Sequence, residues 1–546
     1  MRPLLVAINA KYIHTNNAVR LLKANSAFDV DIVEFTIKDD YHHILKTIQS
    51  YQSLFIGFST YIWNIEIIKQ LARDLTPTPI VFGGPEVSYD AQAFLDYADI
   101  IVKGEGEMVL DAVIKHFKFG HSLSKVYSIT TKEINHSIEE IKDLSHLKSP
   151  FFLEEDSTSF KHRIAYIESS RGCPYKCTYC LSSLEKTVRF FPFDHVIEQL
   201  KRCQKLGVKT FKFLDRTFNA NKQMPSIIEW IITHHRPGTV YQFEITGDHL
   251  NSSWINAIHD KAPSGLFRFE IGIQSVHTST NQWVERNQDI QKLFTMIKHI
   301  QNANIIELHL DLIAGLPGEN LAMFKESFDQ VFALGAKELQ LGFLKMLRGT
   351  KIRTNASKFN YRFDLKPPYE IIDNNTLSVT DLSVIKHVEI MLNIFHNKGF
   401  FKDFVYVVLS KHFESYFDAF KAMYDTFIKT VDPHDYQLDT LFAFLHEFLE
   451  VNGVLKEDLD ALKYIYLLRA KVKPKCYFPV IHDKAMKQKL FEKIAKNTHL
   501  TVNQLFKHSI VTSYRTLTLV VCYQNHKATG YILKKEASSY VLINNV

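Results

Sequence analysis

The chain has 546 residues, of which 46% are hydrophobic and 23% are charged. This balance is typical of a globular protein, and the length predicts about three domains. The formal net charge of +6 is small for such a length. It gives no strong signal for nucleic-acid binding, so we expect a small-molecule substrate rather than a macromolecule.

The cysteines and the hydropathy point to a reducing compartment. No run of 18 apolar residues occurs, and the first ten residues lack the apolar core of a signal peptide. Six cysteines do not make a disulfide framework in a chain of this length, and three of them fall within eight residues. We therefore expect a cytoplasmic protein without a membrane span that carries a metal site.

Residues 1–130 alternate apolar runs with amphipathic segments. Runs typical of strands lie at Leu4–Ile8, Val30–Phe35, Leu54–Phe58, Pro79–Phe82 and Ile100–Val102. Strands that alternate with helices predict an α/β domain with a Rossmann-like, doubly wound, flavodoxin-like parallel sheet. Ligands of such sheets bind beyond the carboxyl ends of the strands. At those ends the sequence has mostly small residues, namely Ser59, Thr60, Gly83, Gly84, Pro85, Glu86, Gly104 and Glu105.

A second βα series follows a polar connector at residues 131–160. Its strands are predicted at Arg163–Glu168, Thr210–Leu214, Val240–Ile245, Arg268–Ile273, Glu307–Ile313 and Glu338–Leu344. Six strand–helix units predict a partial (β/α)6 barrel over residues 161–360. Residues 361–546 are predicted to form a mostly helical accessory domain with a small antiparallel β-sheet at its end.

Cys173, Cys177 and Cys180 follow the first strand of this second series. Chemistry in βα barrels takes place at the carboxyl ends of the strands. Three thiolates on a short loop can hold one soft metal centre, and three ligands for four irons leave one iron open. A structural zinc site normally needs a fourth protein ligand, and no second cysteine pair exists here. The residues thus favour a [4Fe–4S] cluster.

The spacing Cys-x3-Cys-x2-Cys, with Tyr179 before the third cysteine, resembles the signature of the radical S-adenosylmethionine (SAM) superfamily. The resemblance extends over residues 160–350. It implies that the open iron chelates SAM and that one electron from the cluster cleaves SAM to a 5′-deoxyadenosyl radical, which takes hydrogen from the substrate. An electron donor of the flavodoxin or ferredoxin type is implied as well.

Later segments also resemble the SAM site of that superfamily. The segment with Glu270 and Gln274 resembles the fourth strand, whose polar side chains reach the SAM ribose and carboxylate. The segment with Gly315 and Leu316 resembles the fifth strand, which packs on the adenine. The same resemblance places Tyr179 near the adenine.

Two acidic residues at strand ends are further candidates for SAM binding. Glu244 ends the third strand, where the superfamily often has an acidic residue that binds SAM. The second strand departs from the pattern, because Asp215 stands where a Gly-Gly-Glu-like motif usually holds the SAM amino group. We expect Asp215 to take over that role.

The glycine-rich segments 83–86 and 104–107 precede the cluster domain and resemble the cobalamin (B12) domain found before many radical SAM domains. The resemblance implies that the strand-end residues given above bind cobalamin. The loop after the first strand lacks the Asp-x-His-x-x-Gly motif of histidine-ligated cobalt. His14 in that loop is a candidate cobalt or corrin contact, but we favour a hydrogen-bonded surface or turn histidine. The whole arrangement is similar to cobalamin-binding radical SAM proteins with an uncharacterised C-terminal domain of the DUF4080 type.

Four functions are compatible with this resemblance. We predict a cobalamin-dependent methyltransferase that acts on an unactivated carbon, and a non-methylating cyclase or rearrangement enzyme is the alternative. A methylthiotransferase is disfavoured because no cysteine precedes Cys173. A non-enzymatic cobalamin or redox sensor is disfavoured because a sensor has no need of a SAM pocket. The isolated Cys203, Cys476 and Cys522 are predicted to be inert.

Overall fold

The computed structural model describes residues 1–153, 160–474, 478–536 and 539–545. Cys476 and part of the predicted connector lie outside these ranges. The chain divides into two compact units, which are residues 1–330 with 339–382, and residues 331–338 with 383–546. No helix in the described ranges is long and apolar enough to cross a bilayer. The domain boundaries at residues 130, 160 and 360 stay predictions.

The first unit begins with an α/β sheet. Its strands are β1 Leu4–Asn9, β2 Asp31–Thr36, β3 Ile56–Ser59, β4 Ile80–Gly83, β5 Ile100–Val102 and β6 Ile129–Thr130. The helices between them are α1 Asn17–Asn25, α2 Tyr41–Ser50, α3 Ile65–Asp74, α4 Pro85–Ser88 and α5 Leu110–Phe119. The strand order is β2–β1–β3–β4–β5–β6, with β6 antiparallel to β5 and the other pairs parallel.

The sheet is buried on both faces. All six residues of β1 are buried. Leu4, Val6 and Ile8 belong to one hydrophobic core, whereas Leu5 and Ala7 belong to a second. Alternate residues of a strand point to opposite faces, so each core covers one face of the sheet. The predicted α/β class with parallel sheets is confirmed.

A second parallel sheet completes the first unit. The strands of this region are β7 Ile164–Ile167, β8 Ser170–Arg171, β9 Arg189–Phe190, β10 Thr210–Phe213, β11 Val240–Glu244, β12 Phe267–Gln274, β13 Glu307–Ala314, β14 Glu338–Phe343, β15 Arg362–Phe363 and β16 Ile371–Asp373. Its helices are α6 Phe193–Lys205, α7 Met224–His234, α8 Ser252–Lys261, α9 Thr278–Trp283, α10 Ile290–Ala303, α11 Leu321–Phe332 and α12 Lys351–Thr354. Six strands form the sheet in the order β14–β13–β12–β11–β10–β7.

Strands β12 and β13 show why polar side chains gather on one face of this sheet. Buried and half-buried residues alternate strictly along both strands. Arg268, Glu270 and Gln274 occupy half-buried positions, while Phe269 and Ile271 between them are fully buried. One face therefore packs into the core, and the other presents polar groups to a ligand.

The second unit is helical and ends in an antiparallel sheet. The helices of this region are α13 Val379–Leu392, a π-helical turn at Asn393–Asn397, α14 Lys402–His412, α15 Tyr416–Phe427, α16 Leu438–Val451, α17 Lys456–Arg469, α18 Lys484–Ala495 and α19 Val502–His508. The strands are β17 Ser509–Tyr514, β18 Leu517–Gln524, β19 Lys527–Glu536 and β20 Ser539–Asn545. They pair as an antiparallel sheet in chain order.

Candidate cofactor site

The cysteine loop starts at the carboxyl end of β7 and is held at its base by the short hairpin of β8 and β9. Gly172 precedes the first cysteine with a φ of +90°, and a Cβ there would lie 2.2 Å from the carbonyl oxygen of Thr187. Only glycine fits this position without a clash. Cys177 is buried, whereas Cys173 and Cys180 are half-buried.

The donor set of this loop fits a [4Fe–4S] cubane, because three free thiols lie on one loop of eight residues. In the ranges that the structure describes, no three His, Cys, Asp or Glu side chains stand close enough to hold a single metal ion. A cubane needs a wider spacing than one ion does, since each thiolate binds a different iron.

Arg286 is a cation next to the cysteine loop, and the sequence did not single it out. Its Nη1 lies 3.9 Å from Cys177 Sγ and 3.5 Å from Tyr179 Oη, and its Nη2 donates to the carbonyl oxygen of Gly272. Burial raises the pKa of the Cys177 thiol, and the charge of Arg286 opposes that rise. The guanidinium thus favours the thiolate that binds iron.

Asp215 is fully buried behind the cysteine loop. Its carboxylate accepts hydrogen bonds from the backbone amide of Ser169 at 3.0 Å, from Ser169 Oγ at 2.6 Å and from Ser170 Oγ at 2.5 Å. Burial raises its pKa to about 6. These three bonds let Asp215 position the segment that leads into the cysteines, and its expected contact with the SAM amino group stays a prediction.

The other polar candidates lie along β11 and β12. Glu244 Oε1 is 3.6 Å from Arg216 Nη1, and Glu270 Oε2 accepts from Lys212 Nζ at 2.9 Å. Gln274 has a φ of +68° at a bulge in β12. Its Oε1 is buried and accepts no hydrogen bond from any described residue. A buried acceptor without a partner fits a site that a donor group of a ligand completes.

Gly315 and Leu316 lie after β13, where the backbone turns sharply. Gly315 has a φ of +94°, and a Cβ there would lie 1.9 Å from Ile371 Cδ1. Its carbonyl oxygen accepts from Tyr361 Oη at 2.8 Å, and Leu316 is fully buried. The turn is therefore fixed by packing. Whether Gly315 and Leu316 contact adenine stays a prediction.

Glu319, in the same turn, is fully buried and has no charged partner among the residues that the structure describes. Its Oε1 accepts from Ser275 Oγ at 2.6 Å and from Ser327 Oγ at 3.2 Å. Burial raises its pKa from 4.5 to about 7. The folded chain therefore binds a proton here more tightly than the unfolded chain, and the stability that this gives is lost as the pH rises through 7.

We expect Glu319→Gln to be more stable relative to the wild type at pH 8 than at pH 5, by about 2–3 kcal/mol, because glutamine cannot ionise. Urea unfolding at both pH values measures this difference. The exposed Glu198→Gln, on α6, is the matched control and should show no such difference. If Glu319→Gln and Glu198→Gln show the same difference between the two pH values, the raised pKa of Glu319 is contradicted.

The strand-end loops of the first sheet form a tight backbone cradle. Thr60 is fully buried, and its amide and hydroxyl both donate to the carbonyl oxygen of Gly83, at 2.7 and 2.9 Å. Gly84 has a φ of +121°, and a Cβ there would lie 2.5 Å from the carbonyl oxygen of Thr60. Ser59 Oγ accepts from Asn16 Nδ2 at 3.0 Å. Backbone thus lines this edge where a flat ligand can approach closely.

Gly84→Ala should destabilise the chain by about 3 kcal/mol and lower cobalamin retention, because the methyl group meets the Thr60 backbone in a conformation reserved for glycine. Gly120→Ala is the matched control. Gly120 also has a positive φ, of +73°, but a Cβ there meets nothing within 4 Å. We expect that control to cost about 1 kcal/mol. Equal losses in urea unfolding would contradict the steric argument.

The acidic residues of these loops bind arginines of the second sheet's region. Glu86 is buried and accepts from Arg348 Nε at 3.2 Å and from the hydroxyl of Tyr369. Glu105 Oε1 accepts from Arg171 Nη1 at 2.9 Å, and its Oε2 accepts from Arg189 Nη1 at 2.7 Å. The structure therefore gives Glu86 and Glu105 protein partners, where the sequence predicts cobalamin contacts.

Arg171 is the centre of this ion network. Its Nη2 also donates to Glu107 Oε1 at 2.7 Å and to Glu168 Oε2 at 3.0 Å. Three carboxylates around it raise its pKa well above the usual value, so it is always charged. Arg171 lies two residues before Cys173. The network therefore joins the Gly104–Glu107 loop directly to the cysteine loop.

A cavity of about 830 Å³ lies between these loops. Six of the predicted cobalamin residues line it, namely Ser59, Gly83, Gly84, Pro85, Gly104 and Glu105. Gly172 and Leu181, the neighbours of Cys173 and Cys180, line it from the other side. The cavity thus connects the glycine-rich cradle with the cysteine loop.

His14 lines the same cavity but is bound to the protein. Its Nδ1 lies 2.5 Å from Tyr166 Oη, and burial lowers the pKa of its imidazole. Burial also raises the pKa of Tyr166 to about 12. The pair stays neutral near pH 7, so His14 and Tyr166 form a polar wall rather than a charged one.

Three family models match the chain. The B12 binding domain matches residues 3–114, the Radical SAM superfamily matches residues 167–331, and a protein family of unknown function, DUF4080, matches residues 357–522. The predicted order of domains is confirmed. The predicted cofactors are also confirmed at the level of these domains. The radical SAM domain accounts for the [4Fe–4S] cluster and SAM, and the B12 binding domain accounts for cobalamin.

Curated relatives match parts of the chain. An uncharacterized methyltransferase of Pyrococcus horikoshii is 25% identical over 218 residues, which are 36% of this chain and 47% of that protein. The cobalamin-dependent radical SAM methyltransferase TokK of Streptomyces tokunonensis is 21% identical over 319 residues, 52% of this chain and 45% of TokK. The chain thus spans about half the length of the curated relatives it matches.

Solved structures share the fold. The cobalamin-dependent SAM radical enzyme OxsB, with aqua-cobalamin and SAM bound, has a TM-score of 0.59 at 14% identity. The match covers 85% of this chain and 79% of the OxsB chain. The radical SAM methyltransferase TsrM of Kitasatospora setae, with tryptophan and a SAM analog bound, has a TM-score of 0.54 at 15% identity, over 65% of this chain and 76% of TsrM. At these identities the likeness concerns the fold.

Proposed function

We propose that this chain, with its B12-binding and radical SAM domains, is a cobalamin-dependent radical SAM enzyme that methylates an unactivated carbon of a small molecule. One observation carries the proposal. The cavity of about 830 Å³ is lined both by the glycine-rich loops of the first sheet and by the neighbours of Cys173 and Cys180. Two cofactors bound at these places would share one reaction space.

The residues present suit both groups. Cys173, Cys177 and Cys180 would hold the cluster, and Gln274 has a buried acceptor that lacks a partner among the described residues. When bound, the cluster with SAM supplies an adenosyl radical, and cobalamin supplies a methyl group. The six strands β7 and β10 to β14 would form the partial (β/α)6 barrel around SAM.

The polar wall of His14 and Tyr166 would bind and orient the substrate together with two charged residues. Glu168 and Arg216 line the same cavity. Arg216 offers a charge to an anionic group of the substrate, and the neutral pair of His14 and Tyr166 offers hydrogen bonds. Asp215 and Arg171 would fix the backbone before the cysteines. We further propose a cytoplasmic location and an electron donor of the flavodoxin or ferredoxin type.

Isotope transfer tests this function. Anaerobically reconstituted protein, loaded with cobalamin, is incubated with methyl-¹³C-labelled SAM, a reductant and a small-molecule extract of its host cells. We expect 5′-deoxyadenosine and a small molecule that carries the label. The Cys173→Ala variant in the same extract is the control and should give neither.

The alternatives predict different products. A cyclase or rearrangement enzyme would give 5′-deoxyadenosine without label in any other small molecule, and a sensor would leave SAM intact. Either result would reject the methyltransferase.

A further inference from the structure

The positive charge of the chain is concentrated in its last 76 residues. Residues 471–546 contain 13 Lys and Arg and only 3 Asp and Glu, a net charge of +10. The whole chain carries +6, so the first 470 residues carry −4. The small net charge of the whole chain therefore hides a strongly basic segment, which we call the basic segment.

The described part of the basic segment, residues 471–474, 478–536 and 539–545, is folded. Helices α18 and α19 and strands β17 to β20 share a hydrophobic core that includes Leu490, Phe491, Leu505, Val520 and Leu533. The polar side chains lie outside this core. Exposed lysines of the segment include Lys471, Lys473, Lys484, Lys489, Lys496, Lys507 and Lys527. The charge is thus displayed on a defined surface.

Three parts of the basic segment meet around a cavity of about 390 Å³. Its eight lining residues are Lys471, Val472, Lys473, Lys507, His508, Tyr523, Asn525 and His526. They come from the loop after α17, the end of α19, the end of β18 and the turn that follows it. None of the eight is acidic, so the cavity collects positive potential from separate elements.

The lysines of this surface are not neutralised by nearby carboxylates. Among the described residues, the ion pair found in the segment joins Lys534 and Glu536 at 3.6 Å, while Lys471, Lys473 and Lys507 have none. Burial and the charge of Lys473 both lower the pKa of the Lys487 ammonium. Crowded cations of this kind are stabilised when an anion binds among them.

We propose that the basic segment binds single-stranded nucleic acid through its phosphate backbone, with the cavity as the central phosphate site. Twelve of its thirteen cationic residues are lysines, and they are spread along the segment. Such a spread suits contacts with successive phosphates of a chain better than the binding of one small anion. Phe506, beside Lys507, is 38% exposed. An exposed aromatic side chain next to a lysine allows a base to stack.

This inference does not depend on the proposed methyl transfer, and its test needs neither SAM nor cobalamin. Full-length protein is titrated into a fluorescein-labelled 20-nucleotide RNA of mixed sequence, and anisotropy is followed from 50 to 300 mM salt. We expect binding that weakens linearly on a log–log plot against salt.

The triple variant Lys471→Glu/Lys473→Glu/Lys507→Glu should bind at least about tenfold more weakly at 100 mM salt, with a salt slope smaller by about two. The matched control reverses three exposed lysines of the first unit, Lys38, Lys46 and Lys298. It carries the same total charge and should bind like the wild type. A further variant with Gln at 471, 473 and 507 removes the three charges without reversing them. Circular dichroism checks that this variant is folded, so that weaker binding can be assigned to the lost charge.

Three results would overturn the proposal. The first is that the RNA does not bind at 50 mM salt, and the second is that the triple variant and the control weaken binding equally. The third is that polyglutamate of equal charge displaces the labelled RNA as well as unlabelled RNA does, which would indicate an acidic protein as the partner.

Discussion

Replacing any one of Cys173, Cys177 and Cys180 by alanine should abolish the cluster and SAM cleavage. Two thiolates cannot hold a cubane against solvent, because each of the three cysteines is the protein ligand of a different iron. Each variant, reconstituted without oxygen, should contain less than about a tenth of the wild-type iron and sulfide. It should form no 5′-deoxyadenosine above background. Iron and sulfide analysis and liquid chromatography measure these outcomes.

Cys203→Ala is the matched control for the loss of a cysteine. Cys203 is fully buried on α6, and burial strongly raises the pKa of its thiol, so it stays protonated and inert. The substitution should keep the iron content and cost about 1 kcal/mol of stability. A full iron complement in the Cys173→Ala variant, or an equal loss in Cys203→Ala, would refute the assignment of the cluster ligands.

The cysteine loop and the first sheet could be predicted from sequence because their signals are local. The cysteine spacing lies within eight residues, and each predicted strand of the first sheet is a short apolar run. Glycine positions are also local signals. Gly84 and Gly315 follow strands, and both have a positive φ together with close backbone or side-chain contacts.

The partners of charged side chains could not be predicted, because they join residues far apart in the chain. Arg286 lies beside Cys177 although 109 positions separate them, and Glu86 bonds to Tyr369 across 283 positions. Asp215 is predicted at SAM because it ends the second strand, although the motif usual at that place is absent. Its carboxylate also accepts hydrogen bonds from Ser169 and Ser170, contacts that no pattern within the second strand encodes.

The distribution of charge is hidden by the total for a different reason. The net charge of +6 is the sum over two unlike parts, and only a count by segment separates the −4 of the first 470 residues from the +10 of residues 471–546. The small total charge predicts no nucleic-acid binding, and the proposal of such binding depends on the basic segment alone.

Removing the guanidinium of Arg171 should be the most destabilising single change outside the hydrophobic cores. Its side chain is 10% exposed, and those of Glu105, Glu107 and Glu168 are 15%, 7% and 16% exposed. Arg171→Met would leave three nearly buried carboxylates around an apolar side chain, of which Glu105 alone keeps a bond to Arg189. Unpaired buried charges cost about 3–5 kcal/mol.

We therefore expect Arg171→Met to lower the free energy of unfolding, measured in urea, by about 3–5 kcal/mol. The variant should also retain less cobalamin and iron, because the network joins the Gly104–Glu107 loop to the cysteine loop. Arg171→Lys should lose about half as much, since one ammonium cannot donate to three carboxylates in the planar geometry of a guanidinium. Arg2→Met is the control. Arg2 also pairs with two carboxylates, but its side chain is 60% exposed, so the cost should stay below about 1 kcal/mol.

A second substitution separates charge from shape in this network. Adding Glu107→Gln to Arg171→Met removes one of the stranded charges and should recover about 1–2 kcal/mol. In the wild-type background the same Glu107→Gln should destabilise the chain, because Arg171 Nη2 then loses a charged acceptor at 2.7 Å. A change of sign between the two backgrounds is the signature of a coupled ion network. If Glu107→Gln changes the free energy of unfolding by the same amount in both backgrounds, Arg171 and Glu107 act independently, and the loop is held to the cysteines by packing instead.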